Sequence, residues 1–71
     1  MIKIHLSKIM GEKRCTITKL SQETKLSPST ISNIYNEKIK RIDFETLEKL
    51  CKIFNCNVQD IIEYIPENDN N

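Results

Sequence analysis

Four residues with helix-starting chemistry, Thr16, Ser27, Asp43 and Asn57, stand at short intervals along this chain. Each opens a run whose apolar residues recur at three- and four-residue spacing. A side-chain oxygen at such a position accepts from the free N–H groups of the first helical turn. With so many starts in 71 residues, the chain is confined to short helices joined by tight turns. Ser27 is followed by Pro28, whose missing N–H costs nothing at the first helical position. Asp43 is followed by Glu45, an acid favourable to the helix dipole in the first turn.

The apolar stripes fill in the rest. Leu6, Ile9 and Met10 make a first helix from about Leu6 to Lys13, weakened at Gly11 by about 1 kcal/mol relative to alanine. Ile17, Leu20, Ser21 and Thr24 line the second, where Ser21 is small enough for another helix to approach closely. Lys25-Leu26-Ser27 is a tight connection, with Leu26 expected to plug the core. Ile31 and Ile34 hold the third helix, 28–36, which Asn36 is expected to end in the left-handed conformation. A basic loop, EKIKRI, follows over Glu37 to Ile42. Phe44, Leu47, Leu50, Cys51 and Phe54 form the expected buried stripe of the fourth helix. Asn55 to Asn57 turns the chain into a short fifth helix with Val58, Ile61 and Ile62 apolar. Met1 to His5 alternate as a very short strand, and Glu63 to Pro66 can extend as another. The expected fold is all-α: one five-helix domain over 1–66 with a short two-stranded β-ribbon from the two ends, then a disordered tail, 67–71.

Composition excludes several classes of function. A run of about 18 apolar residues is missing, so a membrane partner is not expected. The first residues carry no secretory apolar run, and a cytoplasmic location is expected. Three cysteines are an odd number at spacings that match no zinc signature. Cys51 reads as a small core residue, and Cys15 and Cys56 as free thiols in turns. A set of Cys51, Cys56 and His5 lacks a fourth metal ligand, so neither metal nor cofactor is expected. His5 is the single histidine, and no catalytic set accompanies it, so the chain is not read as an enzyme. So small a core leaves little room for a small-molecule pocket.

The net charge of +1 hides an asymmetry. Residues 1–41 hold nine Lys/Arg against three acids, a balance of +6. Residues 42–71 hold two Lys against seven acids, −5. The first part suits a polyanion and the second does not. On a helical projection of the third helix, Ile31 and Ile34 share one side. Ser29, Ser32, Asn33 and Asn36 fall on the opposite side, where a solvated helix ordinarily carries Glu and Lys. Short uncharged groups let a partner come close. Asparagine can pair bidentately with adenine and serine can serve several bases, whereas acids would be repelled by phosphate. Two helices joined by a three-residue turn, the second bearing this face, match a helix-turn-helix whose second helix enters the major groove. Lys38, Lys40 and Arg41 follow where a phosphate backbone would pass. Thr16 and Thr18 begin the second helix, where hydroxyls and free N–H groups can meet a phosphate, with Lys13 and Arg14 beside them.

The run ITKLSQETKLSPSTISNIYNEK, with FETLEKLCKIFNCNVQDII after it, resembles the Cro/phage-repressor (XRE) helix-turn-helix family over roughly Leu6 to Ile62. The resemblance implies a five-helix domain that binds operator DNA, usually as a dimer. By position it implies base contacts from Pro28, Ser29, Ser32 and Asn33. It implies phosphate contacts from Thr16, Asn36, Lys38, Lys40 and Arg41. Small members similar to this chain pair strands beside a dimer interface, which here would draw on Val58, Ile61, Tyr64 and Ile65. The family usually has Gly at the turn where Lys25 stands, Ala at Ser21, and Gly after the reading helix where Asn36-Glu37 stands. A double-stranded operator and a homodimer that represses by occluding a promoter are the expectation. The alternative is a protein-interaction module on the same fold, antitoxin-like or polymerase-binding.

Overall fold

The computed structural model describes residues 1–67. A strand, β1 (Ile2–Ile4), leads into five helices: α1 (Leu6–Glu12), α2 (Ile17–Thr24), α3 (Pro28–Tyr35), α4 (Phe44–Phe54) and α5 (Val58–Ile61). A second strand, β2 (Ile62–Tyr64), then returns antiparallel to β1, with Ile2 opposite Tyr64, Lys3 opposite Glu63 and Ile4 opposite Ile62. The fold is therefore five helices with a small ribbon, as the sequence suggests. Among the described residues no helix is long and apolar enough to cross a membrane.

The helix starts fall where the capping residues stand. The Thr16 hydroxyl accepts from the Lys19 N–H at 3.1 Å, Ser27 from the Thr30 N–H at 3.1 Å, and the Asp43 carboxylate from the Thr46 N–H at 2.9 Å. At α5 the Asp60 carboxylate reaches back to the Asn57 N–H at 2.9 Å. Each such cap contributes about 1 kcal/mol. The core joins Leu6, Ile9 and Met10 of α1, Leu20 of α2, Ile31 and Ile34 of α3, Leu47, Leu50 and Phe54 of α4, and Ile61 of α5. Leu26 packs half-buried against it.

Helices α1 to α4 are all followed by a non-glycine residue of positive φ: Arg14, Lys25, Glu37 and Asn55. The single glycine, Gly11, serves none of these turns. Lys25, where the family usually has glycine, is left-handed at φ 65° and ψ 15°, and its N–H donates to the Ser21 carbonyl. Side chains of α2 tie the connection down. Ser21 Oγ donates to the Leu26 carbonyl at 2.6 Å, and the buried Thr24 hydroxyl donates to the Leu20 carbonyl and accepts from the Leu26 N–H.

Four expectations need correction. Phe44 is not in the buried stripe: it is 83% exposed, because it stands at the first position of α4, beyond the end of the core. The left-handed residue after α3 is Glu37, while Asn36 keeps φ −92°. Ile62 opens β2 rather than extending α5. Ile61 is fully buried in its own core and cannot present itself to a second copy. The expected tail lies, from residue 68 on, outside the described residues.

The backbone at Lys25 holds a conformation that costs a non-glycine residue roughly 1–2 kcal/mol. Lys25→Gly is expected to raise the urea midpoint, the gain reduced to about 0.5–1 kcal/mol by the freer unfolded chain. A lower midpoint would show that the Lys25 side chain stabilises the turn by more than its backbone strains it.

Candidate nucleic-acid interface

Burial orients α3. Ile31 and Ile34 are 0% and 2% exposed. That turns Pro28, Ser29 and Asn33 outward and leaves Ser32 half-exposed. The helix carries no charged side chain between Pro28 and Tyr35. Ser27 and Thr30 are joined through their hydroxyls at 2.9 Å, which closes the first turn beside Pro28. The Asn36 amide donates to the Ser32 carbonyl at 2.9 Å and to its hydroxyl at 3.3 Å. Asn36 and Ser32 thus act as a tied pair, and the Asn36 amide would reach a phosphate by releasing Ser32.

The expected phosphate residues frame this helix. Thr16 caps α2 and Thr18 lies in its first turn, both exposed. Lys38, Lys40 and Arg41 are exposed in the connection between α3 and α4. The Lys38 N–H donates to the Asn33 carbonyl at 2.8 Å, so the basic connection departs directly from α3. Lys13 and Arg14 are also exposed, just before α2. Lys3 is not free to join them: its ammonium lies 3.4 Å from Glu37.

Glu37 is the functional neighbour that the sequence did not reveal. One of its carboxylate oxygens accepts from the Ile4 N–H at 3.2 Å and the other from Lys3 at 3.4 Å. An acid at the end of the reading helix would repel phosphate, but here it is turned toward β1. The bond also fastens the α3–α4 connection to the ribbon. Its partners lie more than thirty residues away in sequence, so periodicity carries no sign of it. The Ile4 N–H first, and then Lys3, hold the Glu37 carboxyl below its ordinary value. On the ribbon, His5 Nε2 and the Glu63 carboxylate lie 2.7 Å apart.

A groove of about 580 Å³ lies elsewhere. His5, Lys8, Glu12, Cys56, Asp60 and Glu63 are among its lining residues, and none comes from α3 or its following connection. Among the described residues no group of three or more metal-ligating side chains comes together.

Two packed helices joined by a three-residue turn, with the second buried on one edge and bare of charge on the other, define a helix-turn-helix domain. Residues 5–67 match the family model of the Cro/C1-type HTH DNA-binding domain. An uncharacterized HTH-type transcriptional regulator of Bacillus subtilis (strain 168), YozG, is 31% identical over 66 residues, covering 93% of this chain and 79% of that protein. The crystal structure of a candidate DNA-binding protein from Bacteroides fragilis superposes with a TM-score of 0.78 at 22% identity, covering 89% of this chain and 100% of that one. The chain belongs to the Cro/C1-type helix-turn-helix DNA-binding family.

A depressed carboxyl stabilises the fold above its unfolded pKa and ceases to do so as pH falls through its folded value. Glu37 therefore contributes acid sensitivity below about pH 5. Glu37→Gln keeps an acceptor for the Ile4 N–H but removes the charge. Stability followed by urea unfolding across this range is expected to fall less steeply with acid in the variant. Identical slopes would mean that the Glu37 contact does not persist in solution.

Proposed function

We propose that this chain is a sequence-specific transcriptional regulator that reads the major groove of double-stranded DNA with α3. The observation that carries the proposal is the outward face of α3, built from Ser29, Ser32 and Asn33 on a helix whose opposite edge is locked in the core. Pro28, Ser29, Ser32 and Asn33 are assigned to bases. Thr16, Thr18, Asn36, Lys38, Lys40 and Arg41 are assigned to phosphates. The name of the Bacillus subtilis relative supports a role in transcription. One domain, 1–66, performs this role, and repression by occluding a promoter is the mechanism that needs no second domain.

A homodimer would place two copies of α3 about 34 Å apart on one face of the duplex. Val58, Tyr64 and Ile65 are exposed and support a pairing surface. The ribbon supports it further. The bonds linking Met1 to Ile65 and His5 to Ile61 leave the amides of Ile2, Ile4, Ile62 and Tyr64 pointing outward. Glu37 occupies that of Ile4, and the Val58 carbonyl occupies that of Ile62. The amides of Ile2, on the β1 edge, and Tyr64, on the β2 edge, are left to receive a further strand.

Asn33→Ala is expected to weaken binding to the preferred sequence by about 1–3 kcal/mol while leaving random duplex nearly unaffected. Equal losses on both DNAs would remove Asn33 from the base contacts. Lys40→Ala is expected to lower the slope of log affinity against log salt by about 1 on either DNA. An unaltered slope would take Lys40 off the phosphate path.

A further inference from the structure

We propose that Cys51 and Cys56 form a dithiol site that closes to an internal disulfide when the protein meets a small-molecule disulfide such as oxidised glutathione. The site is built by the way α4 ends. Asn55 is left-handed, its N–H donates to the Lys52 carbonyl at 3.3 Å, and the Cys56 N–H donates to the Cys51 carbonyl at 3.0 Å. This pair of bonds defines a capping motif in which the fourth residue before the left-handed position faces the residue after it, usually as an apolar pair. Helix α1 ends in the same way. There Arg14 is left-handed, and Met10 and Cys15 fill the facing places, tied by the Cys15 N–H to the Met10 carbonyl at 2.9 Å. At α4 both places hold cysteine.

The capping bonds set the two side chains at the motif's facing places, with the Cys56 N–H held on the Cys51 carbonyl at 3.0 Å. Both are free, half-buried and packed against the core. Neither belongs to α3 or to the basic connection, so DNA reading makes no use of them.

The reaction is a balanced exchange. One protein thiolate attacks a sulfur of oxidised glutathione, and one glutathione thiolate leaves. The second protein thiolate then displaces the bound glutathione and forms the Cys51–Cys56 bond. The protein loses two protons and two electrons, and two glutathione thiols carry them. Burial first, and then the neighbouring Cys51 and Asp60, raise the Cys56 thiol above its ordinary value. Thiolate is therefore scarce at Cys56 near neutrality. Once formed, the bond joins the last turn of α4 to the entry of α5, just before β2, and leaves the face of α3 untouched.

The test uses the full chain incubated with oxidised glutathione without denaturant, then digested with trypsin. Lys52 lies between the two cysteines, so trypsin separates them unless a disulfide joins the fragments. The expected product has lost two hydrogens, keeps those fragments joined until reduced, and melts at a higher temperature than the dithiol form. It exceeds glutathionylated forms by roughly tenfold or more, since the second thiol competes intramolecularly. In Cys56→Ser the joined fragments are absent. A main product with glutathione on separate cysteines, or with Cys15 in the crosslink, would overturn the proposal. That mapping is made on the unmodified sequence, so it decides the matter even if the variant does not fold.

Discussion

The burial of Ile31 and Ile34 against Leu20 and its neighbours is the contact on which the rest of the structure depends. Two isoleucines of this size are worth about 3–6 kcal/mol when fully buried. In a chain so short, that is a large part of total stability. Their burial fixes the roll of α3 about its own axis, and the roll decides which residues face out. Ser21 and Thr24, bonded to the Leu26 backbone, then fix the angle at which α3 leaves α2. A polar helix without these constraints would have no single outward face. With them, the small uncharged residues of α3 become a surface of defined shape and chemistry.

Charge is arranged around that surface rather than on it. Seven of the nine cations of the first 41 residues stand before α2 or after α3, Lys19 lies in α2 and Lys25 in the turn, while α3 itself is uncharged. Under the proposed reading, long-range attraction and close recognition fall to different side chains, as phosphate and base contacts require. Glu37 fits this division because its carboxylate is bonded to Ile4 and Lys3 instead of facing outward. The same bonds link the connection after the reading helix to the ribbon. Pairing at the ribbon and placement of α3 are in this way mechanically joined.

Much of this was legible in the sequence because local chemistry decides it. Thr16, Ser27 and Asp43 cap helices through bonds only three residues long, and the i, i+3 and i+4 stripes fix each buried face. The first strand could be recognised from alternation, while the second, expected over 63–66, begins at Ile62. The helix-turn-helix arrangement followed from the three-residue connection and from the uncharged face beyond it. What escaped is what depends on distant parts of the chain. Phe44 continues the stripe of α4, but no other element extends far enough to cover it. Glu37 looked like one more residue of a solvated loop because Ile4 is far away in sequence. Ile61 has the spacing of an exposed surface residue as readily as of a core residue, and only the packing of α1 and α4 against α5 makes it core. The left-handed position fell on Glu37 and not Asn36 because α3 bonds on through the Asn36 N–H to Ser32 before it stops.

The central claim is that the exposed face of α3 reads bases. Selection of bound sequences from a random duplex pool, at about 150 mM salt so that non-specific binding is screened, tests it most directly. The account predicts a palindromic motif with half-sites about one helical turn apart. Weak enrichment without a motif would contradict it, since the serine and asparagine face would then be meeting DNA without distinguishing one base from another.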